Sequence, residues 1–312
     1  MVSVILIWIY MTVTCYITGY SVLTGICRKG NYQIRKESSY LFTGIVLMTV
    51  YAEVFSLFGG VSFLANALLL AICLICFFVK KEELAGHFRN IRLTVTPQRV
   101  ILILVLFFLF AYGTASGLEH YDTGLYHAQS IRWIEEYGIV PGLGNLHSRL
   151  AYNSAAFSLS ALYSMAFLTG RSFHCCTGYF AFLLAVCCTD ACCREREKKL
   201  LLSDLIRVMA VYYLLNIFDE MISPASDYFM VLTVFRLVIR WLELLERKEK
   251  STVPYSVLCI LGVYVCTIKF SGALIVLLTI WPAVKLIRGK RVQEIIRYIV
   301  CGLIVLVPFL IR

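Results

Sequence analysis

Apolar stretches long enough to cross a lipid bilayer recur along almost the whole chain, and this repetition restricts the possible folds more than any other feature. Each stretch has about 17 to 20 mostly uncharged residues, which as a helix would span roughly 30 Å of hydrocarbon. Of the 312 residues, 60% are hydrophobic and only 15% are charged, so no segment is left for a separate soluble domain. We therefore predict an all-α polytopic membrane protein, with the lipid bilayer as its first partner.

The formal net charge of +10 comes from Lys and Arg residues that form short clusters between the apolar stretches. Such clusters are typical of cytoplasmic loops of membrane proteins, and we therefore predict no nucleic-acid partner. Most of the 13 cysteines lie inside apolar stretches, where they behave as small hydrophobic residues. The adjacent cysteine pairs lack the C-x-x-C spacing of a metal site.

The basic clusters predict about ten transmembrane helices, with the N-terminus outside. The crossings are predicted at residues 2–26, 40–58, 61–79, 100–115, 173–189, 201–218, 229–245, 253–267, 271–286 and 295–311. The cluster CREREKK at 193–199 marks the inside after the fifth crossing. Residues 154–169 are rich in Ser, Asn and Tyr, so we place them as an interfacial or re-entrant helix. The reverse assignment, in which they cross and 173–189 do not, stays open.

One polar segment stands out from this apolar background, the predicted external loop 116–153. It contains EHYDTGLYHAQSIRWIEEYGIVPGLGNLHSRLAYN, which is dense in carboxylates, histidines, arginines and aromatic residues. The spacing predicts a surface helix over 122–137, ended by Gly138. One face of that helix would carry Asp122, Tyr126, Gln129, Trp133 and Tyr137.

Asp122 and Glu119 stand where a spanning helix gives way to this surface helix, close to lipid of low dielectric. A partly desolvated carboxylate there can accept a proton from an attacking hydroxyl, so both are candidate catalytic residues. The alternative for Asp122 is a helix N-cap. Asp219 and Asp227, in the second external turn, are candidate binding residues, with solvation of a helix end as their alternative.

Three external cations are candidates for binding a lipid phosphate: Arg132, Arg149 and Lys269. Lys269 lies between two apolar stretches, where a charge is costly unless it is used. Its alternative is snorkelling to the interface, and the alternative for Arg132 is a position facing lipid headgroups. Tyr126, Trp133 and Tyr137 would offer flat faces to sugar rings.

His120, His127 and His147 lie near several carboxylates and could bind a divalent metal ion, although none has the spacing of a known metal motif. We therefore predict no metal centre and no required cofactor. His127 is instead a candidate for substrate hydrogen bonding. No Gly-rich nucleotide-binding loop is present, so the sequence gives no sign of a nucleotide-bound substrate.

The order of these features resembles the GT-C superfamily of integral-membrane glycosyltransferases, within an uncharacterised family of bacterial multi-pass membrane proteins. The resemblance rests on an outward helix at 100–115, the acidic EHYDTGLYH after it, the segment AYNSAAFSLSALYSMAFLTGRS, the turn SPASD and TIKFSG. It implies an N-terminal three-helix membrane segment, 1–99, before a GT-C-like membrane core, 100–312, that carries the external loop of surface helices. Because related proteins continue past Arg312, it also implies that the core is truncated at its C-terminus.

The resemblance implies an inverting glycosyltransferase of the bacterial cytoplasmic membrane, with its active face extracytoplasmic. The enzyme would move a sugar from a polyprenyl-phosphate carrier to a cell-envelope glycan or lipid acceptor, in polysaccharide biosynthesis. Asp122 would be the general base. Three alternatives stay open: a polymerase or ligase of lipid-linked oligosaccharides, a transporter or flippase, and a structural membrane subunit. A transporter would be expected to hold charged residues within its spans, of which Glu53 is the clear example.

Overall fold

A computed structural model describes residues 1–189 and 200–312, apart from the side chain of Thr94. The described chain is 81% helix without strands, which confirms the all-α class. The helices of eight or more residues in these ranges are α1 (Val2–Lys29), α2 (Ser38–Ser56), α3 (Phe63–Thr94), α4 (Pro97–Ser116), α5 (Ala128–Tyr137), α6 (Ala155–Leu162), α7 (Cys176–Thr189), α8 (Leu202–Asn216), α9 (Ser226–Glu246), α10 (Val253–Ile268), α11 (Ile280–Arg288) and α12 (Val292–Ile311), besides a ten-residue 3₁₀ segment, Phe270–Thr279. The predicted inside marker at 193–199 lies outside the described residues.

Six helices in the described ranges are long and apolar enough to cross a membrane. They are Val2–Lys29, Ser38–Ser56, Phe63–Leu93, Pro97–Ser116, Phe270–Arg288 and Val292–Ile311. The predicted count of about ten is not confirmed, because α7, α8 and α10 have only 14, 15 and 16 residues, and α9 carries several charged residues. The structure therefore supports a helical membrane protein with six candidate spans.

The basic clusters meet at one end of the bundle, which we call the basic end. Arg28 pairs with Glu83 at 2.9 Å, and Arg35 lies 3.9 Å from Glu249. Arg291 donates a hydrogen bond to Thr252. These contacts join loops that are far apart in sequence, as expected if they share one side of the membrane.

The polar segments meet at the opposite end, which we call the loop end. The backbone N–H of Leu118 donates to the carbonyl of Asp219 at 2.6 Å. The N–H of Ile139 donates to the carbonyl of Ser56 at 2.9 Å, which docks the surface helix on the α2–α3 turn. The predicted external segments therefore do lie on one face of the bundle.

Helix α6 lies inside the bundle beneath the loop end. All eight of its residues are buried, and at about 1.5 Å per residue it is far too short to cross a membrane. Ser154, before its first residue, donates to the carbonyl of Ile268 at 2.7 Å. The burial of residues 154–164 fits the re-entrant interpretation of 154–169 rather than the interfacial one, and the segment becomes exposed only at Leu168 and Thr169. Residues of 1–99 and of 100–312 share one hydrophobic core around this helix.

The close approach of the α2–α3 turn to α5 depends on glycine. A Cβ atom at Gly60 would lie 2.5 Å from the carbonyl oxygen of Glu135, whereas a Cβ atom at Gly59 would meet nothing within 4 Å. Gly138, which ends α5 as predicted, has a φ of +75° and packs against the same turn. The sequence Gly59-Gly60 therefore contains one sterically required glycine.

We expect Gly60→Ala to destabilise the protein by about 1–3 kcal/mol, because the backbone of α5 has to move away from the added methyl group. Gly59→Ala is the matched control and should leave stability nearly unchanged. Thermal denaturation of both variants in the same detergent measures the difference. Equal melting temperatures for the two variants would contradict this packing of α5.

Candidate functional site

An open pocket of about 510 Å³ lies among the polar segments at the loop end. Its wall is formed by residues from the start of the surface helix and from the end of the same loop. They are Asp122, Tyr126, Ser148, Arg149, Ala151 and Tyr152. The pocket thus brings together three of the predicted site residues, Asp122, Tyr126 and Arg149.

The predicted surface helix is interrupted at its start. Residues Thr123–His127 form a turn of π-helix, in which the N–H of Ala128 donates to the carbonyl of Thr123. This turn holds one more residue than an α-helical turn, so every later side chain is rotated by about 100° from the predicted face. Asp122 and Tyr126 consequently face the pocket, while Trp133 and Tyr137 pack against each other outside its lining, with ring centroids 5.2 Å apart and ring planes tilted by 44°.

Asp122 forms an ion pair across the pocket. Its Oδ1 accepts a hydrogen bond from Nη1 of Arg149 at 2.9 Å, and the side chains are 32% and 47% exposed. The guanidinium also lies 5.7 Å from the ring centroid of Tyr126. The carboxylate makes no capping hydrogen bond to the helix, which argues against the N-cap alternative. A pair as exposed as this contributes about 0–1 kcal/mol, so it can open at little cost.

A second ion pair lies beside the first. Nζ of Lys269 is 2.5 Å from Oδ1 of Asp227. Asp227 stands in the first turn of α9 and Lys269 directly follows α10, where helix dipoles favour a negative and a positive charge respectively. The hydroxyls of Tyr152 and Ser226 are 3.0 Å apart and connect the pocket wall to this pair. Lys269 is therefore engaged with a carboxylate rather than snorkelling.

Two histidines support the first ion pair through similar turns. The N–H of Asp122 donates to Nδ1 of His120, and the N–H of Arg149 donates to Nδ1 of His147, both at 3.2 Å. The N–H of His120 in turn donates to the hydroxyl of Ser223 at 2.6 Å. Asp122 is therefore anchored to the neighbouring loop 219–228, whereas His147 and Arg149 lie on an exposed turn.

His127 is buried behind Tyr126 and does not line the pocket. It is 3% exposed, and its ring packs 4.2 Å from Tyr126 and 5.3 Å from Phe157 between centroids. Burial lowers the pKa of His127 to about 4, an effect that Asp122 and Asp227 oppose. The imidazole is thus neutral at pH 7, and it lies within electrostatic reach of both ion pairs.

The other predicted site residues lie away from the pocket lining. Arg132 pairs with Glu136 at 2.6 Å and with Glu135 at 3.4 Å on its own helix. Glu119 and Asp219 are exposed, and the contact that Asp219 makes with Leu118 uses its backbone carbonyl.

Sequence reasoning missed several residues of this region. Tyr152 and Ser148 line the pocket from a 3₁₀ turn and the coil after it, which carry no periodic pattern. Glu135 is buried in α5, where it accepts a hydrogen bond from the hydroxyl of Ser172 at 2.7 Å, and burial raises its pKa. The hydrogen bond from the N–H of Asp122 to His120 was predictable from local sequence, because the histidine stands two residues before the aspartate.

The arrangement offers a carboxylate, a cation and two tyrosines to one open pocket, with the Lys269–Asp227 ion pair beside it. Such a set can bind an anion, hold a planar or cyclic ligand against an aromatic face and accept a proton. Within residues 1–189 and 200–312, no group of three or more His, Cys, Asp or Glu side chains is placed to hold a metal ion.

Acid should destabilise the protein through His127. The folded state holds this pKa near 4, below the ordinary 6.5, so the unfolded state binds more protons as the pH falls from 6.5 towards 4. The loss at pH 5 is about 2 kcal/mol. We expect His127→Phe to remove this part of the difference in melting temperature between pH 7.5 and pH 5.

Phe157→Leu serves as the control, because it disturbs the same packing without removing a titrating group. It should lower the melting temperature by similar amounts at both pH values. A His127→Phe protein with the full acid sensitivity of the wild type would show that this histidine is already charged in the fold.

Comparison with known proteins gives the sequence a family but no activity. No match to the chain is found among curated proteins or among solved structures. The family model described as a domain of unknown function, DUF8201, matches residues 1–312. Because that match extends over every residue, the protein belongs to the DUF8201 family.

Proposed function

We propose that the protein is an inverting glycosyltransferase that moves a sugar from a polyprenyl-phosphate carrier to an extracytoplasmic glycan or lipid acceptor of the cell envelope. The observation that supports this most is the pocket itself. It places Asp122 beside Arg149, and next to a second pair made by Lys269, at the loop end of a bundle with six candidate spans. A lipid-linked donor could reach this site from the bilayer, with its phosphate at the level of the cations.

The reaction assigns a role to each group. The acceptor hydroxyl oxygen attacks the anomeric carbon of the sugar, and its proton passes to the carboxylate of Asp122. The bond between that carbon and the phosphate oxygen breaks, and its electron pair leaves with the carrier phosphate. Arg149 and Lys269 stabilise the negative charge that develops on this phosphate. A single displacement from the opposite face inverts the anomeric centre.

The tyrosines fit the sugar-binding part of the proposal. Tyr126 and Tyr152 meet edge to face with ring centroids 6.2 Å apart, and both border the pocket. Each ring has a flat apolar face of the kind that Trp133 and Tyr137 were expected to supply. A polymerase or ligase of lipid-linked oligosaccharides would use the same groups, and the length of the transferred glycan distinguishes it from a single-sugar transferase.

One observation favours a transporter as the second candidate. Glu53, in α2, is 1% exposed, and the cation that acts on it is Arg312 after α12. A buried ionisable group within membrane helices often marks a transport pathway. The polar pocket at the loop end is the stronger feature, so we place surface chemistry first.

Transfer of radiolabelled sugar from polyprenyl-phosphate donors tests the leading proposal. Membranes with equal amounts of the wild type, Asp122→Asn or Glu82→Gln are supplied with cell-envelope acceptors. We expect Asp122→Asn to lose at least about a hundredfold in rate, the scale of a lost general base. Glu82 is exposed near the basic end, and its variant should keep the wild-type rate. Unchanged transfer by Asp122→Asn would remove this residue from the mechanism.

Glu53→Gln separates the two candidate functions. A transferase that works at the loop-end pocket should keep most of its transfer rate in this variant. A transporter that uses Glu53 should lose the movement of a polyprenyl-phosphate sugar across reconstituted vesicles. Loss of transport together with absence of sugar transfer would favour the second candidate.

A further inference from the structure

The two groups most needed by the proposed chemistry are bonded to each other. Arg149, the candidate phosphate ligand, donates from Nη1 to Oδ1 of Asp122, the candidate base. One of the two carboxylate oxygens of Asp122 is therefore occupied by a guanidinium N–H. The same contact engages both the group that would bind the phosphate and the group that would accept the proton.

The two partners are held with different firmness. Asp122 directly precedes a helical turn in which Thr123 and His127 are buried, and His120, which caps its N–H, is anchored to Ser223. Arg149 lies on the exposed turn Ser148–Ala151, and its cap, His147, is exposed as well. Opening of the ion pair would therefore move the arginine side chain and leave the carboxylate in place.

A phosphate group has the chemistry to open this contact. Two phosphate oxygens match the fork of a guanidinium, whereas Asp122 engages it through one oxygen. Both side chains are partly exposed, so a ligand can reach them. Lys269 adds a second positive charge beside the pocket, because its partner Asp227 directly follows Ser226, whose hydroxyl contacts that of Tyr152 in the pocket wall.

We propose that the Asp122–Arg149 ion pair is a latch that a phosphate group opens. The phosphate binds the guanidinium of Arg149 and so releases the carboxylate of Asp122. An acceptor hydroxyl then donates a hydrogen bond to this carboxylate. This inference rests on the proposed function for the identity of the phosphate as part of the donor. It adds an order of substrate binding, in which the phosphate-bearing donor binds before the acceptor. Asp122 stays paired with Arg149 until the donor is present.

The reactivity of the Asp122 carboxyl group tests the latch directly. The purified protein is treated with a water-soluble carbodiimide and an amine, and labelling of each carboxyl group is measured by peptide mass spectrometry. Exposed Glu82, near the basic end, serves as the internal reference for reagent consumption. We expect saturating polyprenyl phosphate to raise labelling of Asp122 at least fivefold relative to Glu82.

Two variants calibrate this measurement. Arg149→Gln should give the high labelling of Asp122 without any ligand, and phosphate should not increase it further. Lys269→Gln should raise labelling of Asp227, its own partner, and leave that of Asp122 low in the absence of ligand. The elution of each variant as a single species in size-exclusion chromatography shows that it is folded.

Three probes identify the source of the phosphate: polyprenyl phosphate, inorganic phosphate and bilayers of phosphatidylglycerol. An increase with any of them supports the latch, and their order of potency shows whether a carrier, a free anion or a lipid headgroup opens it. The latch is wrong if Arg149→Gln exposes Asp122 but no phosphate does so in the wild type. It is also wrong if Arg149→Gln leaves Asp122 as unreactive as in the wild type.

These outcomes are independent of sugar transfer. Opening by phosphate without any transfer would retain the latch and remove the glycosyltransferase proposal. Transfer that depends on Asp122, with no effect of phosphate on its labelling, would retain the enzyme and remove the latch.

Discussion

The cost of placing charge inside an apolar bundle governs this structure. A charged group without a partner loses its hydration when it is buried, and the penalty amounts to several kcal/mol. Most ion pairs accordingly lie near the two ends of the bundle, where basic loops meet at one end and acidic and basic side chains meet at the other. Two buried arginines, Arg207 and Arg240, both bind the buried carboxylate of Glu243.

The same cost explains why the loop end can hold a reactive site. Asp122, Arg149, Asp227 and Lys269 remain partly exposed, so each can change partners without first being brought out of an apolar environment. His127, only one layer deeper, is buried and uncharged. The pocket therefore lies between partly exposed ion pairs, which can exchange partners, and a neutral, closely packed layer that contains His127.

Much of the fold follows from local sequence, whereas the site depends on contacts between distant parts of the chain that no local pattern predicts. Hydropathy predicts α1, α2 and α4 closely, because a continuous apolar stretch has few alternatives to a helix in lipid. It does not reveal that 154–164 is buried, because burial depends on which helices surround it. The pairing of Asp122 with Arg149 spans 27 residues of chain, and Tyr152 reaches the pocket from a segment without periodicity. The residue types thus indicated which chemistry the loop could support. Which of these residues meet in the pocket was visible only in the three-dimensional structure.

The π turn at Thr123–His127 has a consequence for how this loop varies in length. Gly124 within it is exposed, and space for a side chain is open around it. Loss of one residue at such a turn is the change that restores the ordinary helical period, at little cost in packing. It would turn α5 by about 100° about its axis relative to Asp122. The number of residues in this turn therefore fixes the rotation of the helix. It decides whether Tyr126 or a neighbouring side chain shares the pocket with Asp122.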